Sequence, residues 1–297
     1  MHGDRILHEG DVVLSVVIAM RDVEPYLGHQ LDSIAAQTCR VPWEVVIADN
    51  GSTDRSVEIA EGYRDKLPAL TIVDASARRG PGAVRNAGVD AARGSRLVFC
   101  DADDELAPGT LGAMAEALAA HRLVAARLDH RKLNQPWSLD IHTPRSGLLE
   151  TNPAFLPYTF GTSMGVQRGL HHELGGFDPF VEIACEDRDY CYRAQLAGEE
   201  LVLVPDALVH YRHRTTWTGC FRQWRNYAIG SVHMYQRYRT HGLAKPPAGR
   251  ALLGWGMTLL ALLPSLRSSQ ERMKWAARLG WRVGRAQGSW RYRVWAP

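Results

Sequence analysis

The sequence predicts an α/β fold: a mostly parallel sheet with a Rossmann-like nucleotide half, followed by a basic helical C-terminal appendage. Three observations predict it. Between residues 12 and 120, short apolar runs alternate with helix-patterned segments, the rhythm of βαβ units. The first of these runs, at 14–19, is rich in β-branched apolar residues without alternation, as a strand covered on both faces should be. Charge is also divided unevenly. Residues 211–297 hold 16 Lys and Arg against a single acid, Glu271, for +15. Residues 1–210 therefore carry −12 within a net charge of +3, and seven of the nine tryptophans lie after residue 210.

The elements follow in order. LSVVIA at 14–19 is the first strand. Pro25 suits the first turn of a helix, and Leu27, Leu31, Ile34 and Ala35 recur at helical spacing. WEVVIA at 43–48 is the second strand, and Asp49-Asn50-Gly51-Ser52-Thr53-Asp54 caps a helix expected from about 55 to 66. Residues 70–73 are a third strand. Gly80-Pro81-Gly82 opens a helix carrying Arg85, Asn86 and Gly88. Residues 97–100 are a fourth strand, and Thr110 starts a helix with Leu111, Met114 and Leu118 on one side. The rhythm then breaks. Residues 130–143 read as a loop or edge hairpin, 161–168 as a turn, and 174–179 as a tight turn. A helix is expected from 186 to 197, two short strands at 201–204 and 207–211, and a basic helix from 217 to 239. The prolines of Lys245-Pro246-Pro247-Ala248-Gly249 suggest a hinge.

Ligands of parallel sheets bind beyond the carboxyl ends of the strands. Three polar clusters fall there: Met20-Arg21-Asp22, Asp49 to Ser52, and Asp101-Ala102-Asp103. The last is the densest, an apolar strand ending in four acids within five residues. In extended chain, alternate side chains share a face, so Asp101 and Asp103 can aim at one small volume. A divalent cation would relieve their repulsion, and magnesium-type ions use one or two protein carboxylates plus phosphate oxygens. A solvated acidic turn is the plainer alternative. The convergence predicts a nucleotide-type site beside a metal site.

VVIAM, ADNGSTDRS and RRGPGAVRNAGVDAARGSRLVFCDADDELAPG, in that order, resemble the nucleotide-sugar half of inverting family 2 glycosyltransferases. GTSMGVQR, LGGFD and CEDRDYCYRAQLAG resemble the acceptor half. The resemblance covers roughly residues 12–215. It implies a GT-A type fold, with residues 1–215 as the transferase domain (12–120 for donor and metal, 121–215 for acceptor) and 216–297 as a tail. By this resemblance, Asp103 holds Mn2+ or Mg2+ on the donor diphosphate, with Asp101 on the ribose or metal and Asp104 a weaker ligand. Ala19, Arg21, Asp22, Asp49, Asn50, Ser52, Arg85, Asp101 and Ala102 bind the donor. Asn50 stands where many relatives have an aspartate for the base, which leaves uridine or thymidine open. An amide oxygen still accepts a hydrogen bond. Asp22 and Ala19 also depart from the usual Asn and Pro. Asp187, beside Glu186, matches the catalytic base; helix capping is the plainer reading of that pair. Asp189 and Arg193 read as a structural pair. His210 and His213 are candidates for a further metal ligand.

The implied partners are a UDP- or dTDP-linked sugar and a glycan or lipid-linked acceptor. The basic, Trp-rich tail adds an expected anionic membrane contact through residues 250–295, with residues 267–293 as the interfacial helix and no nucleic acid. Residues 251–263 form an apolar stretch of 13, short of the roughly twenty a span needs. Met1–Gly10 has no apolar leader, so the expected compartment is the cytoplasm, peripheral on the inner face of the plasma membrane. Five cysteines without a CxxC pair read as reduced thiols. A sugar-phosphate nucleotidyltransferase would need a Gly-rich basic loop after the first strand, where MRDVEPYL stands. A non-enzymatic polyanion binder would rest on the tail alone.

Overall fold

The computed structural model describes residues 12–141, 149–151, 155–245 and 249–296. Met1–Gly10, the hinge prolines and residues 142–143 of the expected loop lie outside them. The first half is built as the apolar runs require. Strands β1 (Leu14–Met20), β2 (Trp43–Asp49), β3 (Leu70–Asp74) and β4 (Arg96–Asp101) are all parallel, in the order β3-β2-β1-β4. They are linked by α1 (Glu24–Ala35), α2 (Ser56–Glu61) and α3 (Pro81–Ala91). α2 is shorter than the capping pattern suggested; the chain leaves it at Gly62 through turns.

Both faces of β1 are buried, which explains its uninterrupted hydrophobicity. Leu14, Val16 and Ile18 pack with Leu27, Leu31 and Ile34 of α1, while Val17 packs on the opposite face with Phe99 and Val89 of α3. Each of these fully buried side chains contributes about 1.5–3 kcal/mol relative to exposure.

Beyond β4 the sheet becomes mixed. β5 (Glu105–Leu106) leads to α4 (Thr110–Ala120) and β6 (Leu123–Asp129). A short pair, β7 (Glu150–Thr151) with β8 (Pro157–Tyr158), stands apart from the main sheet. The segment expected as a turn at 161–168 is instead a 3-10 turn followed by β9 (Met164–Gln167) and the start of α5 (Arg168–Glu173). β9 lies antiparallel between β4 and β6 in the middle of the sheet. Its four residues are too few to show a period, so only the pairing reveals it.

After α6 (Glu186–Leu196), the two expected short strands are one, β10 (Leu201–His210), with a register irregularity between Val204 and Leu208. Pro205 lies within that irregularity, where no ladder donor is needed. β10 runs parallel to β6 and antiparallel to β5 at the edge.

The tail is α7 (Trp217–Tyr238), α8 (Gly249–Leu260), α9 (Leu262–Ser265) and α10 (Ser269–Arg291). It is docked on the segment that holds Asp178 and Asp189. Arg237 pairs with Asp178 at 2.5 Å and Asp189 at 3.2 Å, and the Tyr238 hydroxyl donates to Asp189. The expected Asp189–Arg193 pair is present at 2.7 Å and belongs to the same group. α10 lies along α7. Gly280 and Gly284 meet the backbone of Phe221 and Arg225, and a Cβ on Gly288 would fall 2.9 Å from Val232 Cβ. Only glycine allows that approach. α10, expected as the interfacial helix, packs one face on α7 and leaves Trp290 exposed, while α8 and α9 expose several leucines and Met257. Among the described residues no helix is long and apolar enough to cross a membrane. All five cysteines are free, as expected, and four are buried.

Candidate active site

A cleft of about 800 Å³ opens at the carboxyl ends of the parallel strands. Ala19, Arg21 and Asp22 line it from the end of β1, and Asp101, Ala102 and Asp103 from the end of β4. Glu186 and Asp187 line it from the first turn of α6. Two groups of acids from opposite halves of the chain thus share one hollow.

Arg85 joins them. Its buried guanidinium donates to Asp101 Oδ1 and to Glu186 Oε1, both at 2.7 Å. It rests on the bare Cα face of Gly161, where a Cβ would fall 2.5 Å from Arg85 Nη2. The two carboxylates keep Arg85 charged despite burial. The residue expected to face the nucleotide therefore holds the site's acids in register.

At the strand tip, Asp101 N–H donates to Thr162 Oγ1, and Gln30 donates to Asp101 O. Asp103 Oδ2 accepts from Arg214 at 2.8 Å, and its carbonyl accepts from Arg212. Burial pushes the Asp103 carboxyl up, and Arg214 pulls it back. Asp104 turns away: Thr162 Oγ1 and Arg212 N–H donate to it, and burial, then the charges of Asp103 and Asp101, drive it well above the carboxylate range. Asp104 thus braces the tip.

At the helix start, Asp187 Oδ2 accepts Gly161 N–H at 3.1 Å and Oδ1 accepts Arg188 N–H at 2.7 Å. Burial raises its carboxyl, while Arg85 and these donors favour the ion. Glu186 is pushed up to about 7 by burial and then by the Asp187 charge, against the pull of Arg85. Arg188 lies over the Tyr158 ring at 4.3 Å and donates to the Tyr158 hydroxyl.

Asp49, Asn50 and Ser52 build the turn beside the cleft. Ser52 Oγ donates to Asp49 at 2.6 Å and accepts from Asp22 N–H. Asn50 N–H donates to Met20 O, and its amide nitrogen reaches the carbonyls of Ala75 and Arg78. Asp22, at φ 48°, accepts from Thr53 N–H, the main cause of its lowered carboxyl.

His210 Nδ1 faces Asp129 at 2.8 Å. His213 is buried, with Nε2 on His130 and Nδ1 on Ser138. Among the described residues no three His, Cys, Asp or Glu side chains gather as a metal set. Asp101 and Asp103 still suit a hard divalent ion. Each has one oxygen engaged by an arginine and a second for another partner, and such ions complete their shell with phosphate oxygens and water. The ion would have to share Asp103 with Arg214.

Sequence reasoning missed Arg214, Thr162 and the aromatic wall, in which Tyr211, Tyr227, Trp224 and Trp281 line the far side of the cleft. Trp224 comes from α7 and Trp281 from α10, with ring centroids 5.9 Å apart. The Trp content of the tail was the available signal.

The family described as Glycosyl transferase family 2 matches residues 15–175, and Glycosyl transferase family group 2 matches residues 143–289. A poly(ribitol-phosphate) beta-N-acetylglucosaminyltransferase, TarS of Staphylococcus aureus, is 26% identical over 204 residues, 66% of this chain and 35% of that protein. A PGL/p-HBAD biosynthesis glycosyltransferase of Mycobacterium tuberculosis is 35% identical over 129 residues, 42% of this chain and 50% of that protein. The matches thus span half or less of the length of these curated relatives. Among solved structures, a mannosyltransferase of Pyrobaculum calidifontis in complex with GDP-Man and Mn2+ has a TM-score of 0.61 at 19% identity, covering 94% of this chain and 87% of that one. Staphylococcus aureus TarS in complex with UDP has a TM-score of 0.55 at 19% identity, covering 96% and 93%. At such identities the likeness bears on the fold, which is the GT-A type expected.

Proposed function

The chain belongs to glycosyl transferase family 2, and from that membership we propose that it is an inverting glycosyltransferase that moves a sugar from a nucleotide-diphosphate donor to an acceptor hydroxyl. The observation that carries the reading is the single cleft in which strand-tip carboxylates and helix-start carboxylates meet across Arg85. A transferase needs two functions side by side: one that holds a diphosphate leaving group, and one that takes a proton. The two pairs of acids match these needs.

In this reading the donor lies against Ala19, Arg21 and Asp22, with its base toward the Asp49–Ser52 turn. UDP and GDP-Man in the structural neighbours support a nucleotide-sugar donor; uridine or thymidine is the base proposed here. Asp103, with Asp101, would hold Mn2+ or Mg2+ on the diphosphate. When bound, the ion supplies positive charge to the leaving oxygens. Asp187 accepts the acceptor hydroxyl's proton. As the oxygen bonds to the anomeric carbon from one face, the C–O bond to the diphosphate breaks on the other, and the configuration inverts. Gly161 N–H and Arg188 N–H fix the carboxylate's direction. Glu186 anchors Arg85 and so the spacing of the two pairs.

The acceptor side is the aromatic wall, whose rings suit a sugar or other ring-bearing acceptor. A glycan, a lipid-linked glycan or a secondary metabolite would fit it. The tail is assigned to an anionic membrane surface through residues 250–295, which would hold the enzyme at the cytoplasmic face of the plasma membrane.

The test is donor binding and turnover measured separately. Thermal shifts with UDP, dTDP and GDP, with and without Mn2+, should show a metal-dependent shift for one base, and Asp103→Ala should abolish it. A shift that persists in Asp103→Ala would remove Asp103 from the metal site.

A further inference from the structure

α8 and α9 wear their side chains inside out. A surface helix of a globular protein turns its apolar stripe inward. Here the inward positions are small or polar: Ala251, Thr258 and Ser265 are buried, and Gly254 lies against the Arg282 guanidinium. Trp275 Nε1 donates to Thr258 O at 3.0 Å, tying α8 to α10. The outward positions are leucines and a methionine. Leu260 is 79% exposed, Leu263 73%, and Leu253, Met257, Leu259 and Leu266 are also exposed. The spacings 253, 257, 260 and 259, 263, 266 make two adjacent stripes one helical face wide. An apolar ridge of this kind calls for a partner.

Charge identifies the partner. Residues 251–266 hold no charged side chain, and the chain has no acid between Asp206 and Glu271. Lys245 and Arg267 bracket the ridge, and both are exposed. A second copy meeting the ridge about a two-fold axis would present the same patch, so bases would face bases with no acid to answer them. Anionic phospholipid headgroups supply the missing charge, and acyl chains supply the apolar medium. α8 has twelve residues, too short to cross a bilayer but long enough to lie in its surface.

We propose that α8–α9 is an in-plane anchor that seats Leu253, Met257, Leu260 and Leu263 in the boundary between the headgroups and acyl chains of an anionic bilayer. This narrows the membrane contact proposed for residues 250–295 to one ridge and stands apart from the chemistry of the cleft. α10, packed on α7 through its glycines, serves as the platform.

The full chain would be sedimented with vesicles of phosphatidylcholine, with and without phosphatidylglycerol. Wild type should pellet with the anionic vesicles, and Leu260→Glu/Leu263→Glu should weaken that binding at least about tenfold, since both leucines lose their transfer from water into acyl chains. The Mn2+- and UDP-dependent thermal shift, measured on both proteins, should be unchanged; its absence from wild type would count against the transferase reading and leave the anchor standing. Equal vesicle binding by the two proteins, or none by wild type, overturns the anchor. So does a wild-type dimer, seen by light scattering, that the double substitution splits.

Discussion

Asp101 and Asp103 sit on a strand tip, the Asp101 side chain 33% exposed and Asp103 buried. Glu186, by contrast, opens a helix and is 7% exposed at its side chain, with Asp187 beside it half-buried and lining the same cleft. The two pairs share one cation, Arg85, yet differ in what surrounds them. At the tip each carboxylate meets an arginine side chain, Arg85 on Asp101 and Arg214 on Asp103, an arrangement that can trade one cation for another. At the helix start Glu186 shares Arg85 and Asp187 is held by backbone N–H donors, and burial pushes both carboxyls up, as it does that of Asp103. A cation holder works best with low proton affinity, and a base works best near the operating pH. In the proposed reaction, the partners of the four acids divide them between these two tasks.

The largest test of that division is Asp187→Asn. Transfer should fall by about 10²–10⁴, the usual worth of a positioned base, while donor binding holds. Surviving turnover, measured by nucleotide release with and without acceptor, would move the base elsewhere. Next is Arg85→Met, which leaves Asp101 and Glu186 facing each other without their common cation. Removing one partner of such a buried group costs about 3–5 kcal/mol, readable by urea unfolding.

The pH dependence of stability sharpens the contrast. Glu186 holds its proton up to about 7 when folded, against an ordinary value of 4.5. The folded state therefore binds the extra proton between these values, and stability is lost as pH rises through that window. The raised carboxyl of Asp187 acts in the same direction. Glu186→Gln should flatten the decline between pH 5 and 8 by roughly 1–3 kcal/mol, seen as converging melting temperatures. The smallest effect is expected at the tip. Arg214, half-exposed, holds Asp103 by an ion pair worth about 1 kcal/mol, so Arg214→Gln should tighten Mn2+ binding about fivefold in the absence of donor.

The first half of the fold was legible because its instructions are local. A run such as LSVVIA, buried on both faces, announces itself, and capping turns mark where helices begin. The second half depends on distant pairings. β9 is four residues between two strands far from it in sequence, and β10 keeps Pro205 because an irregularity in its pairing with β6 absorbs it. The site divides in the same way. Asp101, Asp103, Glu186 and Asp187 could be read off short motifs, but Gly161, Thr162 and Arg214 acquire meaning only from the carboxylates they meet 26, 58 and 111 residues away. His210 and His213 likewise show their partners, Asp129, His130 and Ser138, only in the folded chain.

In the tail, composition revealed that something basic and aromatic would be helical, and nothing more. Which helix would be packed and which left bare was decided by shape. The glycines of α10 allow a close approach to α7, whereas the leucines of α8 and α9 find no core to enter. Sequence alone determined the strand rhythm, the acids at the strand and helix ends, and the charge of the tail, because each is written in neighbouring residues. Tertiary structure alone decided which partners those acids meet, since burial and the reach of Arg85 and Arg214 belong to the folded chain.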